Sequence, residues 1–213
     1  MYKYLKRPLD FLIALIALIL LSPLFLLIAI WIKINSKGPV FFRQKRVGKN
    51  KELFGIYKFR SMRTDTPADM PTHLLNDPEA FITSSGRFLR KTSLDELPQL
   101  INIVKGEMAI IGPRPALWNQ YDLIEERDKY KANDIRPGLT GWAQINGRDE
   151  LEIPVKAKLD GDYVEKMNLI FDIKCFIGTI FSVLKSDGVV EGGTGVIEEA
   201  RKEIVEEEPR RKA

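Results

Sequence analysis

Two adjacent acidic residues, Asp95 and Glu96, are the part of this sequence best suited to catalysis. Pro98 follows them, and a proline is tolerated in the first turn of a helix because an N–H there would lack a partner anyway. The two carboxylates are therefore predicted at the start of a helix. A carboxylate at that position stays ionised and can act as a nucleophile in aspartyl-phosphate chemistry. The neighbouring Glu can hold Mg²⁺ together with substrate phosphates.

Basic residues lie close to this pair in the sequence, namely Arg87, Arg90, Lys91 and, after the predicted helix, Arg114. Guanidinium groups and helix N-termini are common binding groups for phosphate. The cluster therefore favours phosphoryl transfer, in which positioning and charge neutralisation provide most of the catalysis. In the alternative interpretation, Ser93 or Asp95 caps the helix and the acids complement its dipole. These residues alone leave both interpretations open.

The chain of 213 residues contains one cysteine, Cys175, and one histidine, His73. A disulfide framework within the chain and a Cys/His zinc cluster are therefore excluded, and catalysis by a Ser-His or Cys-His pair is not favoured. Cys175 lies in an apolar segment and is interpreted as a packing residue, whereas His73 is interpreted as a loop residue. Any catalysis must depend on carboxylates and on Lys and Arg, with or without a hard metal ion.

The segment from Phe11 to Ile32 carries no charged residue and places the chain at a membrane. A helix of its 22 residues, at about 1.5 Å per residue, just covers the ~30 Å hydrocarbon core. The pair Ser22-Pro23 lies at its middle. Pro23 lacks an N–H and clashes with the carbonyl near Ile19, which predicts a kink. The Ser22 hydroxyl can bond a carbonyl that the kink frees.

Both flanks of this apolar segment are basic, and residues 1–63 contain 13 Lys and Arg against 2 acidic residues. Because basic flanks favour the cytoplasmic side, a re-entrant hairpin (helix, break, helix) that dips into one leaflet would satisfy both ends. A single span with a tolerated proline is the alternative. The basic block suits anionic membrane lipids. Nucleic acid is the rival partner, but no nucleic-acid motif is present, so none is expected.

The chain is predicted to have three parts. Residues 1–37 form the re-entrant membrane helix and its basic flanks, residues 38–190 form one compact catalytic domain, and residues 191–213 form a charged tail. The predicted fold class is α-rich α/β, with a short β-hairpin and with amphipathic helices at the membrane surface.

The coarse secondary structure follows from the pattern of apolar and turn-forming residues. A hairpin closed by Asn146-Gly147 is predicted to include residues 142–145. The broad apolar face of the last predicted helix is interpreted as core or as a face that lies on the membrane surface. Extended structure is predicted over 40–63, a loop over 64–77, and helices over 117–131, 155–167 and 170–184.

Four motifs, in the same order, resemble those of the bacterial sugar transferase family, the monotopic phosphoglycosyl transferases. The motifs are Lys58-Phe-Arg60-Ser-Met, Ser93-Leu-Asp95-Glu96-Leu-Pro-Gln-Leu, Gly112-Pro-Arg114-Pro and Arg136-Pro-Gly138-Leu-Thr-Gly-Trp-Ala-Gln-Ile-Asn-Gly-Arg148. A later segment, Leu159-Asp160-Gly-Asp-Tyr163, fits a further pattern of the family. The resemblance extends from the apolar segment to about residue 188, and the chain looks like the small form, which is the catalytic domain alone.

The resemblance implies an enzyme of the bacterial inner membrane whose active site faces the cytoplasm. Such enzymes transfer a sugar 1-phosphate from a UDP-sugar to undecaprenyl phosphate and release UMP, which is the first membrane step in making surface or glycoprotein glycans. The resemblance also implies Mg²⁺ as cofactor and a ping-pong cycle through a covalent aspartyl phosphosugar. A homodimer is one candidate assembly.

The resemblance further implies roles for the matched residues. Asp95 would attack the β-phosphate of the donor, and Glu96 would help to bind Mg²⁺. Arg114 and the turn that contains Arg136 and Gly138 would face the nucleotide.

Two more matches concern the membrane side. Lys58 and Arg60 would contact phosphate or lipid headgroups, and Ser22-Pro23 matches the re-entrant membrane helix of the family. Two other functions remain open at this point. One is a membrane-anchored binding module without catalysis, and the other is a glycosyltransferase that moves the sugar alone and releases UDP.

Overall fold

The computed structural model describes residues 2–66, 78–147 and 151–185. His73, Arg148, most of the predicted loop and the predicted tail lie outside these residues. The helices and strands are α1 (Tyr2–Asn35), β1 (Phe41–Val47), β2 (Leu53–Phe59), α2 (Ser84–Lys91), α3 (Gln99–Lys105), β3 (Ala109–Ile111), α4 (Tyr121–Asp128), β4 (Gly138–Thr140), α5 (Trp142–Ile145), α6 (Ile153–Lys166) and α7 (Leu169–Lys185). Short 3₁₀ turns occur at Lys49–Lys51, Pro78–Phe81, Leu94–Glu96 and Ala132–Asp134.

Helix α1 packs along the domain through one stripe of its side chains. The first half of the stripe packs against Ile56 and Ile103, and the second half packs against Phe59 and Leu89. Most side chains on the other faces of α1 are apolar and exposed. Within the described residues, α1 is the one helix that is long and apolar enough to cross a membrane. The stripe recurs every three or four residues, as Ala14, Leu18, Leu21, Phe25, Ile28 and Ile32.

Both ends of α1 bond to the same domain. Near its start, the Arg7 guanidinium donates to the carbonyls of Ile103 and Val104 at the end of α3, at 2.7 and 3.0 Å. At its end, Asn35 Nδ2 donates to Ser84 Oγ at the start of α2, at 2.9 Å. The two flanks of the apolar segment therefore lie against one body of protein.

Helix α1 continues through Pro23 without a gap, so the break that the sequence predicts between two membrane helices is not present in the structure. Because Pro23 has no N–H, the Ile19 carbonyl loses its usual partner in the helix, and the Ser22 hydroxyl donates to that carbonyl at 2.8 Å. The bond predicted for Ser22 is thus confirmed. The re-entrant path through a membrane stays a prediction.

Two small sheets complete the fold. Strands β1 and β2 form an antiparallel hairpin in which Phe41 pairs with Phe59 and Val47 with Leu53, so the predicted extended segment is confirmed. Strands β3 and β4 pair in parallel. A helix-rich chain with two small sheets is compatible with the predicted α-rich α/β class.

The hairpin predicted at Asn146-Gly147 is wrong. Residues Trp142–Ile145 form the short helix α5, and Asn146 Nδ2 donates to the Trp142 carbonyl at 2.7 Å. The cause is tertiary packing, because Ile145 lies so close to α7 that a Cβ on Gly178 would be 2.7 Å from Ile145 Cδ1. A turn-forming pair favours a hairpin only where a partner strand is available, and here β4 pairs with β3 instead.

The predicted helices agree with the structure to different degrees. The last two are confirmed as α6 and α7, but the helix predicted over 117–131 is only eight residues long, Tyr121–Asp128. The chain around Leu117 is held instead by a backbone bridge to Arg46 of β1. At the other end, Lys131 takes a left-handed conformation, with φ of 56°, which ends helical structure.

Helix α7 has an exposed apolar face, so this face is not part of the core of the chain. Its position on a membrane surface stays a prediction, because the structure contains no membrane. The residues of the face are Leu169, Ile170, Ile173, Phe176, Ile177, Ile180 and Phe181.

Candidate active site

Asp95 and Glu96 lie in the one-turn helix Leu94–Glu96, which links α2 to α3. Ser93 enters this turn with a φ of 56°, in the left-handed region, and so reverses the chain sharply after α2. Neither Ser93 nor Pro98 makes a side-chain capping bond. Pro98 is the N-cap residue of α3, so both carboxylates precede a helix, as the sequence predicts, but without the capping bond of the alternative interpretation.

Glu96 is bonded to two cations. Its Oε1 accepts from Lys58 Nζ at 2.8 Å and from Arg114 Nη2 at 2.7 Å, and its Oε2 accepts from Arg114 Nη1 at 3.3 Å. Burial alone would raise the pKa of Glu96, but Arg114 and Lys58 outweigh it and hold that pKa well below its ordinary value. Glu96 is therefore a fixed negative charge that orients two cations.

Asn102 brings Lys58 to this carboxylate. Asn102 is fully buried in α3; its Oδ1 accepts from the Tyr57 N–H and its Nδ2 donates to the Gly55 carbonyl, both at 2.9 Å. These bonds fasten β2 across α3, which begins just after the turn that carries Glu96. Burial lowers the pKa of Lys58, although the Glu96 carboxylate opposes the change.

Asp95 differs from its neighbour in having no hydrogen bond to its carboxylate from any residue that the structure describes. It is only 7% exposed, and burial raises its pKa to about 6, against the attraction of the Lys58 charge and with the help of the Glu96 charge. At neutral pH Asp95 is thus an ionised, poorly solvated carboxylate with its oxygens available. Such a group is a good nucleophile toward phosphorus.

Arg114 is held in place by a buried ion pair that the sequence did not reveal. Arg127 of α4 donates to the Arg114 carbonyl at 2.9 Å and pairs with Asp160 of α6 at 2.6 Å. Both members of the pair are almost fully buried. The match of Asp160 to a family pattern was the one available signal, and it carried no hint of the partner.

The basic residues before the pair lie at different distances from the site. The charge of Arg90 acts on Asp95, and its Nη1 lies 3.9 Å from Met62 Sδ. Lys91 is exposed. Arg87 is also exposed and pairs with Glu79 at 3.2 Å. Of these three predicted phosphate-binding residues, the structure brings Arg90 close to the carboxylates.

Two other predicted residues bind the ends of helices. The Arg60 guanidinium donates to the carbonyls of Ser36 and Lys37 beyond the end of α1, at 2.8 and 2.9 Å. Arg136 Nε donates to the Gly106 carbonyl at 2.7 Å, which is at the opposite end of α3 from the carboxylates. Cations at these positions neutralise helix C-termini.

Gly138 lies in β4 and packs directly on the backbone of Gly112. A Cβ at Gly138 would lie 2.1 Å from the Gly112 nitrogen. The close approach of these two backbone segments explains why position 138 is a glycine. Its predicted role at the nucleotide stays a prediction.

A cavity of about 340 Å³ opens beside Glu96, the residue next to Asp95. Glu96 and Arg114 line one side of it, and α5 and α7 line the other. Gln144 also lines it, and its Oε1 is buried and has no hydrogen-bond partner among the described residues. Sequence reasoning missed this cavity because its walls come from five separate parts of the chain.

The donor set can be tested against the Mg²⁺ ion that the family resemblance implies. Within residues 2–66, 78–147 and 151–185, no three His, Cys, Asp or Glu side chains form a metal cluster. Mg²⁺ usually keeps several waters and binds through one or two carboxylates plus substrate phosphates. Asp95 and Glu96 fit that mode, with Glu96 sharing its oxygens between the ion and its two cationic partners.

Comparison with known proteins adds three relatives and one family. A model described as "Bacterial sugar transferase" matches residues 1–186. The "Uncharacterized sugar transferase EpsL" of Bacillus subtilis is 38% identical over 185 residues, 87% of this chain and 90% of that protein. The "UDP-glucose:undecaprenyl-phosphate glucose-1-phosphate transferase" of Escherichia coli is 41% identical over 188 residues, 84% of this chain and 40% of that protein. The "Undecaprenyl-phosphate galactose phosphotransferase" of Salmonella typhimurium is 37% identical over 202 residues, 87% of this chain and 42% of that protein.

The chain therefore spans most of the Bacillus protein and about two fifths of the other two. The matched region contains the four motifs and the turn that carries Asp95 and Glu96. By both the family model and these identities, the chain belongs to the bacterial sugar transferase family.

Proposed function

We propose that the protein transfers a sugar 1-phosphate from a UDP-sugar to undecaprenyl phosphate and releases UMP. The proposal rests on the different environments of two adjacent carboxylates, Asp95 and Glu96. Glu96 is bonded to Lys58 and Arg114, whereas Asp95 is buried and has no such partner in the part of the chain that the structure describes. The names of the Escherichia coli and Salmonella relatives support this acceptor and this class of transfer.

In the first half-reaction, an Asp95 oxygen attacks the β-phosphorus of the UDP-sugar. A P–O bond forms to Asp95, the bond from that phosphorus to the bridging oxygen breaks, and UMP leaves with the electron pair. Arg114 and Lys58 lie beside Asp95 and neutralise charge on the phosphoryl oxygens. Asp95 then carries the sugar phosphate as an acyl phosphate.

In the second half-reaction, an oxygen of undecaprenyl phosphate attacks the same phosphorus. The bond to Asp95 breaks, the carboxylate is restored, and the sugar is left on undecaprenyl diphosphate. Arg114 and Lys58 serve both half-reactions, since each half-reaction places negative charge on the same phosphoryl oxygens. A Mg²⁺ ion held by Glu96 and by the donor phosphates would add further charge neutralisation.

The protein is proposed to sit on the cytoplasmic leaflet, with α1 entering the membrane and returning. The contacts of Arg7 and Asn35 support this placement, because both ends of α1 bond one domain. In a single span those ends would lie on opposite sides of the ~30 Å core of the bilayer, where one domain could not bond both. The exposed apolar face of α7 would then rest against the same leaflet.

The test is an intact-mass measurement on protein in detergent or liposomes, with Mg²⁺ and a panel of UDP-sugars but without lipid acceptor. A phosphosugar adduct is expected in the wild type and in Asp162→Asn, a control at a partly exposed acid, but not in Asp95→Asn. With each donor tested separately, the donor that yields the adduct would also identify the sugar, since isomeric sugars give equal masses.

Two results would contradict the proposal. With no adduct from any donor and no UMP release after lipid is added, the protein is better described as a membrane-anchored binding module. Release of UDP in place of UMP would indicate a glycosyltransferase that moves the sugar alone.

A further inference from the structure

The cavity beside Glu96 has two chemically different ends. Glu96 and Arg114 lie at one end. A ligand there would contact the Arg114 guanidinium, which already binds the Glu96 carboxylate. The walls beyond are mostly apolar and come from β3, the segment through β4 and α5, and α7. They include Ile110, Leu139, Ile145, Phe176, Ile180 and Val183.

The apolar end of the cavity continues onto the surface of the protein. Phe176 and Ile180 line the cavity, yet they are 52% and 46% exposed. They also belong to the exposed apolar face of α7. A ligand at the Arg114 end could therefore extend along an apolar wall to the surface of α7 without crossing a polar barrier.

From this geometry we infer that the cavity receives the first part of the apolar chain of the polyprenyl phosphate acceptor. The inference rests on the proposed function and goes further, because it assigns the acceptor to the wall formed by α5 and α7. A phosphate joined to an apolar chain matches the two ends in order, with the phosphate at Arg114 and the chain toward α7. The volume of about 340 Å³ lies in the range of ligand-binding clefts.

The sugar of the donor is the competing occupant. Gln144 Oε1 could accept a hydrogen bond from a sugar hydroxyl, but a sugar needs several polar partners, and most of this wall is carbon. The Thr140 and Thr179 hydroxyls, which also line the cavity, are already 2.7 Å from each other. The observations therefore favour the lipid, and the experiment below separates the two.

Two isoleucines of α7 provide a matched test. Ile180 lines the cavity and Ile177 does not, although they share a helix and are 46% and 47% exposed. Ile180→Trp fills the cavity, whereas Ile177→Trp adds the same bulk outside it. Because both side chains are half exposed, either variant should fold, and Val183→Phe is a second filling variant.

Two measurements report on the two substrates separately. Exchange of labelled UMP into the UDP-sugar, without acceptor, reports the donor half-reaction. Turnover against increasing polyprenyl phosphate in detergent reports the acceptor. A short polyprenyl phosphate that carries a photoreactive group in its first isoprene unit is crosslinked to the protein, and the crosslinked residues show where the apolar chain binds. Inorganic phosphate is added as a competitor in a parallel sample.

Ile180→Trp and Val183→Phe are expected to raise the KM for polyprenyl phosphate by at least about tenfold while UMP exchange stays unchanged. Ile177→Trp should change neither value, and crosslinks should fall on α5 and α7. Loss of exchange in Ile180→Trp would assign the cavity to the donor and overturn the inference. An equal KM in all variants, or an equal rise in both tryptophan variants, would overturn it too. Absence of exchange in the wild type would instead refute the proposed function.

Discussion

Lys58 and Glu96 are 38 residues apart in the sequence, yet Lys58 Nζ lies 2.8 Å from Glu96 Oε1. This ion pair joins strand β2 of the hairpin to the turn that carries Asp95. Arg114 binds the same oxygen at 2.7 Å, so one carboxylate fixes two cations from distant parts of the chain. The site is therefore shared between the hairpin, the Asp95 turn and the loop after β3.

The covalent step should depend on pH through Asp95. Since burial raises the pKa of Asp95 to about 6 and only the ionised form attacks phosphorus, the rate should be level above pH ~7 and fall about tenfold per unit well below pH 6. The measurement is the rate of the UMP burst in the absence of acceptor, taken over a range of pH values. Donor binding at each pH is the control. An apparent pKa near 4 would contradict the buried environment of Asp95.

Asp95→Asn should stabilise the protein at neutral pH. An acid whose pKa is raised on folding binds its proton more tightly in the folded state, so stability falls as pH rises from the ordinary value of 3.8 to about 6. The ionised carboxylate then costs about 3 kcal/mol at pH 7. The variant should melt several degrees higher than the wild type at pH 7.5, with the difference shrinking toward pH 4. A lower Tm at pH 7.5 would mean that Asp95 is stabilised by its cations.

The pairing of Lys58 with Glu96 can be measured with a double-mutant cycle. Lys58→Met leaves Glu96 with Arg114 alone, and we expect a loss of roughly 10²–10³ in the rate of UMP release. Combined with Glu96→Gln, the coupling in unfolding free energy should be roughly 1–3 kcal/mol. Lys45→Met, on the exposed side of the same hairpin, is the control and should leave both values unchanged. Additive single effects would show that the pair is not formed in solution.

Asp160 should matter for both stability and activity, although it lies outside the site. Asp160→Asn leaves the buried Arg127 charge without its partner, which should cost roughly 3–5 kcal/mol. Because Arg127 also holds the Arg114 carbonyl, the KM for the donor should rise in variant protein that is still folded at low temperature. Lys129→Met, which removes an exposed ion pair, should change neither the Tm nor the KM. A normal KM in the Asp160 variant would limit this ion pair to a structural role.

The membrane path of α1 can be tested with single cysteines. In a Cys175→Ser background, Tyr4→Cys and Lys37→Cys should both be shielded from an impermeant thiol reagent in intact cells and should both react after lysis. The two sites lie on either side of the apolar segment of α1, and both are exposed in the structure, so protection would come from the membrane. Labelling of one site in intact cells would show that α1 crosses the bilayer.

Predictions from the sequence agree with the structure where the residues concerned interact with near neighbours in the chain. Ser22 bonds the Ile19 carbonyl within one turn, and Pro98 is the N-cap residue of α3, which begins just after the two acids. Helices α6 and α7 follow from apolar spacing. These features need no knowledge of the rest of the fold.

Prediction failed where packing overrides a local preference. Asn146-Gly147 favours a hairpin, but contact between Ile145 and α7 holds the preceding residues in a helix. For Arg60 and Arg136 the structure shows bonds to backbone carbonyls at helix ends, and their predicted contacts with phosphate or nucleotide stay predictions. Charge alone does not tell whether an arginine meets a ligand or its own backbone.

The sequence by itself determined the chemical groups of the site and the apolar segment, because residue type and short spacing specify an acid pair before a proline and a Ser-Pro pair within a membrane segment. It also determined the family, through four motifs in order. Only the tertiary structure decided that Glu96 is bonded to Lys58 and Arg114, that Asp95 is buried without a hydrogen bond from any described residue, and that a cavity leads from the site to α7. Those relations depend on how distant elements pack, and neither periodicity nor local propensity encodes them.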